Sequence, residues 1–181
     1  MSRILAKTIL RLFGWRIGSV GDDVKKCVIC VAPHTSNWDF IIGKFFYWAI
    51  GRKANFLIKK EWYFFPFNLL FHMIGGIPVD RGQRTSTTQQ MVEEFGKRNY
   101  FQLAITPEGT RKKTDDWKRG FYFIALEANV PILLAYIDYD LKEVGFMGTF
   151  YPTGDAEADI QEIRARYQHK TGRHPENFTN E

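Results

Sequence analysis

Cys27-Val28-Ile29-Cys30-Val31-Ala32-Pro33-His34-Thr35-Ser36-Asn37-Trp38-Asp39 is the stretch on which the reading of this chain turns. Its six uncharged residues 27–32 read as a buried strand, Pro33 stops that strand, and Trp38, Ile41, Ile42, Phe45 and Phe46 recur at helical spacing behind it. His34 and Asp39 are five positions apart. On a regular helix that spacing separates two side chains by about 140°, so a partnership requires His34 in the loop and Asp39 in the first helical turn. Ser36 is placed to cap that helix. An imidazole held by a carboxylate has the form of a general base. The same residues also fit a relaxed capping box, in which Asp39 serves the local backbone and the helix dipole and His34 is an ordinary loop histidine. The local sequence admits both readings.

Outward from this stretch the chain alternates. Apolar runs at 27–32, 54–58, 77–79, 101–106 and 132–137 are separated by helical patterns at 37–50, 62–74, 85–99 and 120–129. That order predicts an α/β domain with a central, largely parallel sheet flanked by helices. A further strand or hairpin is expected near 143–151, with Gly145 and Gly148 as turns. A polar helix is expected from Thr153-Gly154-Asp155 to about His169, and a frayed tail from Thr171. The chain reads as a single domain, 1–181: an amphipathic helix at 1–16, a motif-bearing core at 27–140, and a C-terminal hairpin, helix and tail at 141–181. It contains no repeat and no low-complexity linker.

At 181 residues and 45% hydrophobic the chain can bury a sizeable core, but 16% aromatic is more than a core requires and suits an apolar ligand or a lipid surface as well. Residues 1–90 carry 13 basic and 5 acidic groups, and residues 91–181 carry 12 and 15, so the net charge of +5 is concentrated in the first half and suits an anionic partner there. Cys27 and Cys30 form a CxxC whose side chains point to opposite faces of a strand and cannot share a disulfide or a metal. Reduced, buried thiols of a cytoplasmic protein are the expectation.

The N-terminal stretch from Ser2 to about Trp15 reads as a helix with Arg3, Lys7 and Arg11 on one face and Leu5, Ile9, Leu12 and Phe13 on the other. It lacks the features of a signal peptide and is too charged to span a bilayer. It can lie in a membrane interface or pack on its own domain. The 18 residues from Trp62 to Val79 carry no Lys, Arg or Glu, but Pro66, Asn68, His72, Gly75, Gly76 and Pro78 exclude one continuous apolar helix. A short helix over Asn68–Ile74 and a strand over Ile77–Val79 are predicted; Phe64, Phe65, Phe67 and Phe71 either pack in the core or form an apolar wall for an acyl chain or a lipid surface, and the ring of His72 is expected in the core.

Ligands of open α/β sheets bind beyond the carboxyl ends of the strands. There the sequence places His34, then Asp80 and Arg81, then Glu108, Thr110 and Arg111. If the strands are parallel neighbours, these clusters share one edge of the sheet and bring a base, an acid and two guanidinium groups to one cleft. Each cluster alone also reads as a turn signal or a solvated surface pair.

In order, His34-x4-Asp39, Gly75-Gly76-Ile77-Pro78-Val79-Asp80-Arg81, Thr106-Pro107-Glu108-Gly109-Thr110-Arg111 and Val130-Pro131-Ile132 resemble the four successive blocks of the glycerolipid acyltransferases that include 1-acylglycerol-3-phosphate acyltransferase. The resemblance covers about residues 27–140. Pro33 stands where an Asn commonly precedes the His, and Pro78 where the second block usually has an aromatic or aliphatic residue. The resemblance implies transfer of a fatty acyl group from a thioester of acyl carrier protein or coenzyme A to a hydroxyl of a lysophospholipid, in phospholipid biosynthesis. His34 would be the base and Asp39 its holder. Arg81 and Arg111, supported by Lys59, Lys60 and Lys118, would bind the acceptor phosphate. Glu108 would accept a hydrogen bond from the glycerol portion, with Gly109 and Thr110 beside it. Backbone N–H groups near the third block or at the helix start after His34 are expected to hold the oxyanion.

No metal ligand set, nucleotide-binding glycine pattern or nucleic-acid partner is expected, and no cofactor beyond the thioester donor. A hydrolase using the same pair on a lipid ester or thioester, and a non-catalytic lipid-binding protein, are the alternatives. Both substrates have long chains, so peripheral attachment to a membrane from the cytoplasmic side is expected.

Overall fold

The computed structural model describes residues 2–80 and 86–178. Its strands are β1 (Arg16–Ile17), β2 (Lys26–Ala32), β3 (Asn55–Lys59), β4 (Gly76–Val79), β5 (Phe101–Ile105), β6 (Ile132–Asp138) and β7 (Glu143–Phe150). Its helices are α1 (Arg3–Leu12), α2 (Trp38–Ile50), α3 (Phe67–Ile74), α4 (Thr87–Lys97), α5 (Gly120–Glu127) and α6 (Ala156–Ala165). The strands form one sheet in the order β1-β7-β6-β2-β5-β3-β4, parallel at every pairing except β6 with β7. The two-residue strand β1 has no signal in the hydrophobic pattern; it runs parallel to β7, with Arg16 opposite Glu143.

Strand β2 reads as a continuous apolar run because helices cover both of its faces. Val28, Cys30 and Ala32 join one core cluster, with residues of α4, α5 and α6, while Cys27 and Ile29 join the other, with residues of α1 and α2. The two thiols therefore lie on opposite sides of the sheet, as expected. Burial pushes the Cys27 thiol up to about 12 and the Cys30 thiol still further, so neither is a nucleophile.

Several expectations are corrected. Gly145 and Gly148 lie within β7 and make no turn. A Cβ on Gly145 would approach Ser19 O and Tyr136 Oη at 3.0 Å, and Gly148, at φ 119°, sits where the β6–β7 register shifts. The chain reverses instead between β6 and β7, at residues 139–142. Helix α6 ends at Ala165, short of His169. The tail is not frayed over residues 171–178: Gly172 is buried, and the segment packs against the turn after β2, while the last three residues of that expectation lie outside the described residues.

The larger correction concerns the apolar surface. Ala6 and Leu10 seat α1 on α2, but Ile4, Leu5, Leu12 and Phe13 stay exposed. Helix α3 has no buried residue at all. Phe64, Phe65 and Phe67 are exposed rather than packed in the core, Phe71 is only half-buried, and His72 is exposed rather than a core histidine. Lys44 of α2 donates to Ile74 O at the end of α3, at 2.5 Å, and α2 shares its core cluster with α1. The three helices therefore line one face of the sheet, as right-handed crossovers require for β2-α2-β3-α3-β4. Among the described residues, fourteen of the seventeen exposed large hydrophobic side chains belong to α1 with its cap, α2, and the segment Trp62–Met73.

Gly75 ends α3 at φ 90°, and a Cβ there would lie 2.6 Å from the backbone oxygen of Ala54. Since backbone cannot yield as a side-chain tip can, Gly75→Ala should lower stability by about 2 kcal/mol or more. Urea unfolding is the measurement, with a lower midpoint and an unchanged slope expected; an unchanged midpoint would show that β3 can shift to admit the methyl group.

Candidate active site

Strand β2 ends at Ala32, and residues 33–37 turn directly into α2. Asn37, not Ser36, occupies the cap position and makes no side-chain cap bond, while Ser36 Oγ accepts the N–H of Trp38 at 3.2 Å. Asp39 lies in the first helical turn and points back into the loop. Its Oδ2 accepts the N–H groups of Thr35 and Ser36, both at 2.9 Å, and stands 3.1 Å from His34 Nδ1. The carboxylate therefore serves the local backbone, as the second reading has it, but no capping box forms and His34 is not an ordinary loop histidine, because the same oxygen holds its ring.

Asp39 is 3% exposed. A carboxylate at such a depth requires donors, and Oδ1 accepts the Tyr139 O–H at 2.7 Å. With both oxygens acting as acceptors, His34 Nδ1 carries the ring proton toward Asp39, and Nε2 is the nitrogen able to take one up.

Glu108 reaches the same turn from the loop after β5. Its Oε1 accepts the backbone N–H of His34 at 2.9 Å, and its Oε2 is buried with no partner among the described residues. Burial above all raises this carboxyl to about 7, opposed by the hydrogen bond from His34 and by the His34 ring. Arg111 Nη1 donates to Asn37 Oδ1, one residue before α2. Adjacent parallel strands β2 and β5 thus bring His34, Asp39, Glu108 and Arg111 to one edge of the sheet.

The other expected site residues lie further out or serve local structure. Arg81 is outside the described residues. Lys59 ends β3, which β5 separates from β2, roughly 10 Å away at ordinary strand spacing. Lys60 is paired with Asp80 at 2.9 Å, and Lys118 with Asp116 at 3.0 Å. Gly109, at φ 63°, and Thr110, whose Oγ1 accepts the Lys112 N–H, shape the loop that carries Arg111. At the start of α2 the N–H groups of His34, Thr35, Ser36, Trp38 and Asp39 are all committed inside the protein, so these five are not the oxyanion donors expected there.

Two residues at the site carried no signal in the sequence. Tyr139 follows β6 as one more aromatic residue after an apolar run. Arg173 comes from the tail, and its guanidinium lies 5.6 Å from the centre of the Trp38 ring. Among the described residues, no group of acidic, histidine and cysteine side chains is arranged to hold a metal ion.

The model of the acyltransferase family matches residues 17–138. The crystal structure of the 1-acyl-sn-glycerophosphate (LPA) acyltransferase PlsC from Thermotoga maritima is similar, with a TM-score of 0.60 and 18% identity over 88% of this chain and 72% of that one. At that identity the likeness concerns the fold. No curated protein matches the chain.

The raised Glu108 carboxyl has a consequence for stability. Between its ordinary value near 4.5 and its folded value near 7 the folded protein binds more protons than the unfolded chain, so Glu108 costs stability as pH rises through that window. Glu108→Gln keeps an acceptor for the His34 N–H and removes the titration. Its stability relative to the parent should therefore increase from pH 5 to pH 8, by about 3 kcal/mol at most. Melting temperatures measured across this range check the sign; a constant difference would mean that Glu108 is ionised at both ends.

Proposed function

The chain belongs to the acyltransferase family, and from that premise we propose that it transfers a fatty acyl group from an acyl thioester to the hydroxyl of a lysophospholipid, 1-acylglycerol 3-phosphate above others. The observation that carries this reading is the His34–Asp39 pair, with Nδ1 held at 3.1 Å by a buried carboxylate. An alcohol is a poor nucleophile near neutral pH until a base removes its proton as it attacks. His34 Nε2 takes that proton while the acceptor oxygen bonds to the thioester carbonyl carbon. Asp39 holds the ring and balances the imidazolium charge. Collapse of the tetrahedral intermediate expels the thiolate, which takes the proton back from His34 and leaves as the thiol of acyl carrier protein or coenzyme A. The thioester is itself the activated group, so neither an enzyme nucleophile nor a further cofactor is required. Arg111, held on Asn37, binds the acceptor phosphate through its guanidinium fork, and Arg173, held on the ring of the next residue, Trp38, adds positive charge at the same helix start.

Both substrates carry long chains, and the protein reaches them as a cytoplasmic protein attached peripherally to the membrane. No helix among the described residues is long and apolar enough to cross a bilayer. The exposed apolar residues of α1, α2 and Trp62–Met73, with the basic first half of the chain, favour a helix layer lying in the interface.

His34→Ala should lower turnover by roughly 10²–10⁴-fold with little change in acceptor affinity. The assay offers acyl carrier protein and coenzyme A thioesters with a panel of lysophospholipids and identifies products by mass. Near-normal turnover by the variant would remove His34 as the base. Thioester cleavage that proceeds equally fast without any acceptor would make the protein a hydrolase.

Vesicle sedimentation checks the membrane reading. Removing residues 1–16 would open the core at Ala6 and Leu10, so paired surface variants are better probes: Leu5→Ser with Leu12→Ser, and Phe65→Ser with Met73→Ser. Binding should require anionic lipid, weaken in high salt and fall further in both pairs. Equal binding by parent and variants at every salt concentration would place the contact elsewhere.

A further inference from the structure

We propose that Tyr139 is a positioning residue for the catalytic pair, fixing the orientation of the Asp39 carboxylate and setting how much of its charge reaches the His34 ring. This inference rests on the reading of His34 as base. It concerns a residue just beyond the segment 17–138 that the family model covers.

The division of labour on Asp39 carries the argument. Three donors from its own turn converge on Oδ2: two backbone N–H groups and the imidazole. Oδ1 accepts the Tyr139 hydroxyl at 2.7 Å, from a residue one hundred positions later. Local structure therefore satisfies Oδ2 alone, and the tyrosine hydroxyl supplies Oδ1 with a donor from a distant part of the fold, so that both oxygens are held in the plane in which Oδ2 meets the ring. Burial first, and then the bond to Asp39, raise the Tyr139 phenol well above its ordinary range. It remains a proton donor across any pH at which the protein would be assayed.

Tyr139 is itself held on two sides. Its ring meets Trp15 edge-on, with centroids 5.0 Å apart, and Trp15 is tied to α1 by its N–H to Leu10 O at 2.8 Å. Its backbone N–H donates to Thr171 O at 2.9 Å. The tail that supplies Thr171 also supports the catalytic turn: the His174 N–H donates to Thr35 Oγ1 at 3.1 Å. A Cβ on Gly172 would lie 2.7 Å from that same oxygen. Thr171 Oγ1 donates to Asp140 at 3.0 Å, and Lys170 stands 3.6 Å from Asp138, so both flanks of Tyr139 are pinned to the tail. The hydroxyl is thus presented to Oδ1 from a segment tied down on both flanks.

The charged groups around the pair are Glu108 below the His34 backbone, Arg111 on Asn37 and Arg173 on Trp38. The bond from Tyr139 draws charge from Asp39. Its loss would leave more of that charge for the imidazolium, and the base would shed its proton only at higher pH.

Tyr139→Phe keeps the ring against Trp15 and removes only the hydroxyl. We expect turnover to fall roughly tenfold at an unchanged Michaelis constant for the acceptor, and the low-pH limb of the rate profile to move upward. High salt screens the arginines but not a buried hydrogen bond, so the displacement should persist there. A second reading needs no turnover. The His34 Nδ1–H proton resonance, identified by its absence in His34→Ala, should shift in Tyr139→Phe. Fluorotyrosine incorporated at position 139 is a stronger donor and should move both the resonance and the limb in the opposite direction, which tests the inference even if the phenylalanine variant does not fold. A rate profile and resonance identical to the parent's would overturn the inference, as would lost activity with neither displaced. A displaced resonance in a protein that acylates no acceptor would instead overturn the acyl-transfer reading and leave the positioning intact.

Discussion

A carboxylate at 3% exposure constrains everything around it. Burying the charge of Asp39 without partners would cost many kcal/mol, and the molecule meets that constraint with four donors drawn from the turn before it, the imidazole and a distant tyrosine. The turn must double back so that Thr35 and Ser36 present their N–H groups, which places His34 over the helix start. Tyr139 must stand at the end of β6, which requires β6 beside β2, and the tail must hold Tyr139 from behind. The geometry of the base is a consequence of satisfying its partner.

The parallel sheet supplies the second half of the site by the same logic. Because β5 lies next to β2 in parallel register, the loop after Ile105 and the loop after Ala32 leave the sheet at one edge, and Glu108 can reach the His34 N–H. The base is thus held through its ring by Asp39 and through its backbone by Glu108. Glu108 takes part in building the turn, whatever its second oxygen meets when substrate is bound. Arg111 arrives on the same loop and is steadied by Asn37.

The face carrying α1, α2 and α3 is built on a different principle. On the opposite face large apolar side chains are largely withdrawn into the core, whereas here α2 buries Ile42, Phe46 and Tyr47 but leaves Trp38, Phe40 and Ile41 exposed, and α1 and α3 keep most of their apolar bulk outside. Ala6 and Leu10 suffice to dock α1; α3 is secured at its end through Lys44 and at Gly75. Such a surface is costly in water and becomes favourable against an apolar phase.

Local sequence determined what depends on neighbours along the chain. The apolar runs marked β2, β3, β4, β5 and β6 to within a residue or two, because a strand covered on both faces must be apolar throughout. Pro33 and the spacing from His34 to Asp39 placed the pair, because a loop followed by one helical turn brings those two positions together. Tertiary structure alone decided the rest. Phe65 and Met73 have the composition of core residues, and they lie outside because, among the described residues, nothing packs over the segment Trp62–Met73. Lys60 reads as a free cation until β4 brings Asp80 to it. Thr171 to His174 read as a frayed end because their partners, Tyr139 and Thr35, lie 32 and 139 positions away. Tyr139 meets Asp39 across 100 residues. Hydrophobic periodicity records which face of an element is covered, but it does not record which distant residue covers it, and the last donor to Asp39 is of that second kind.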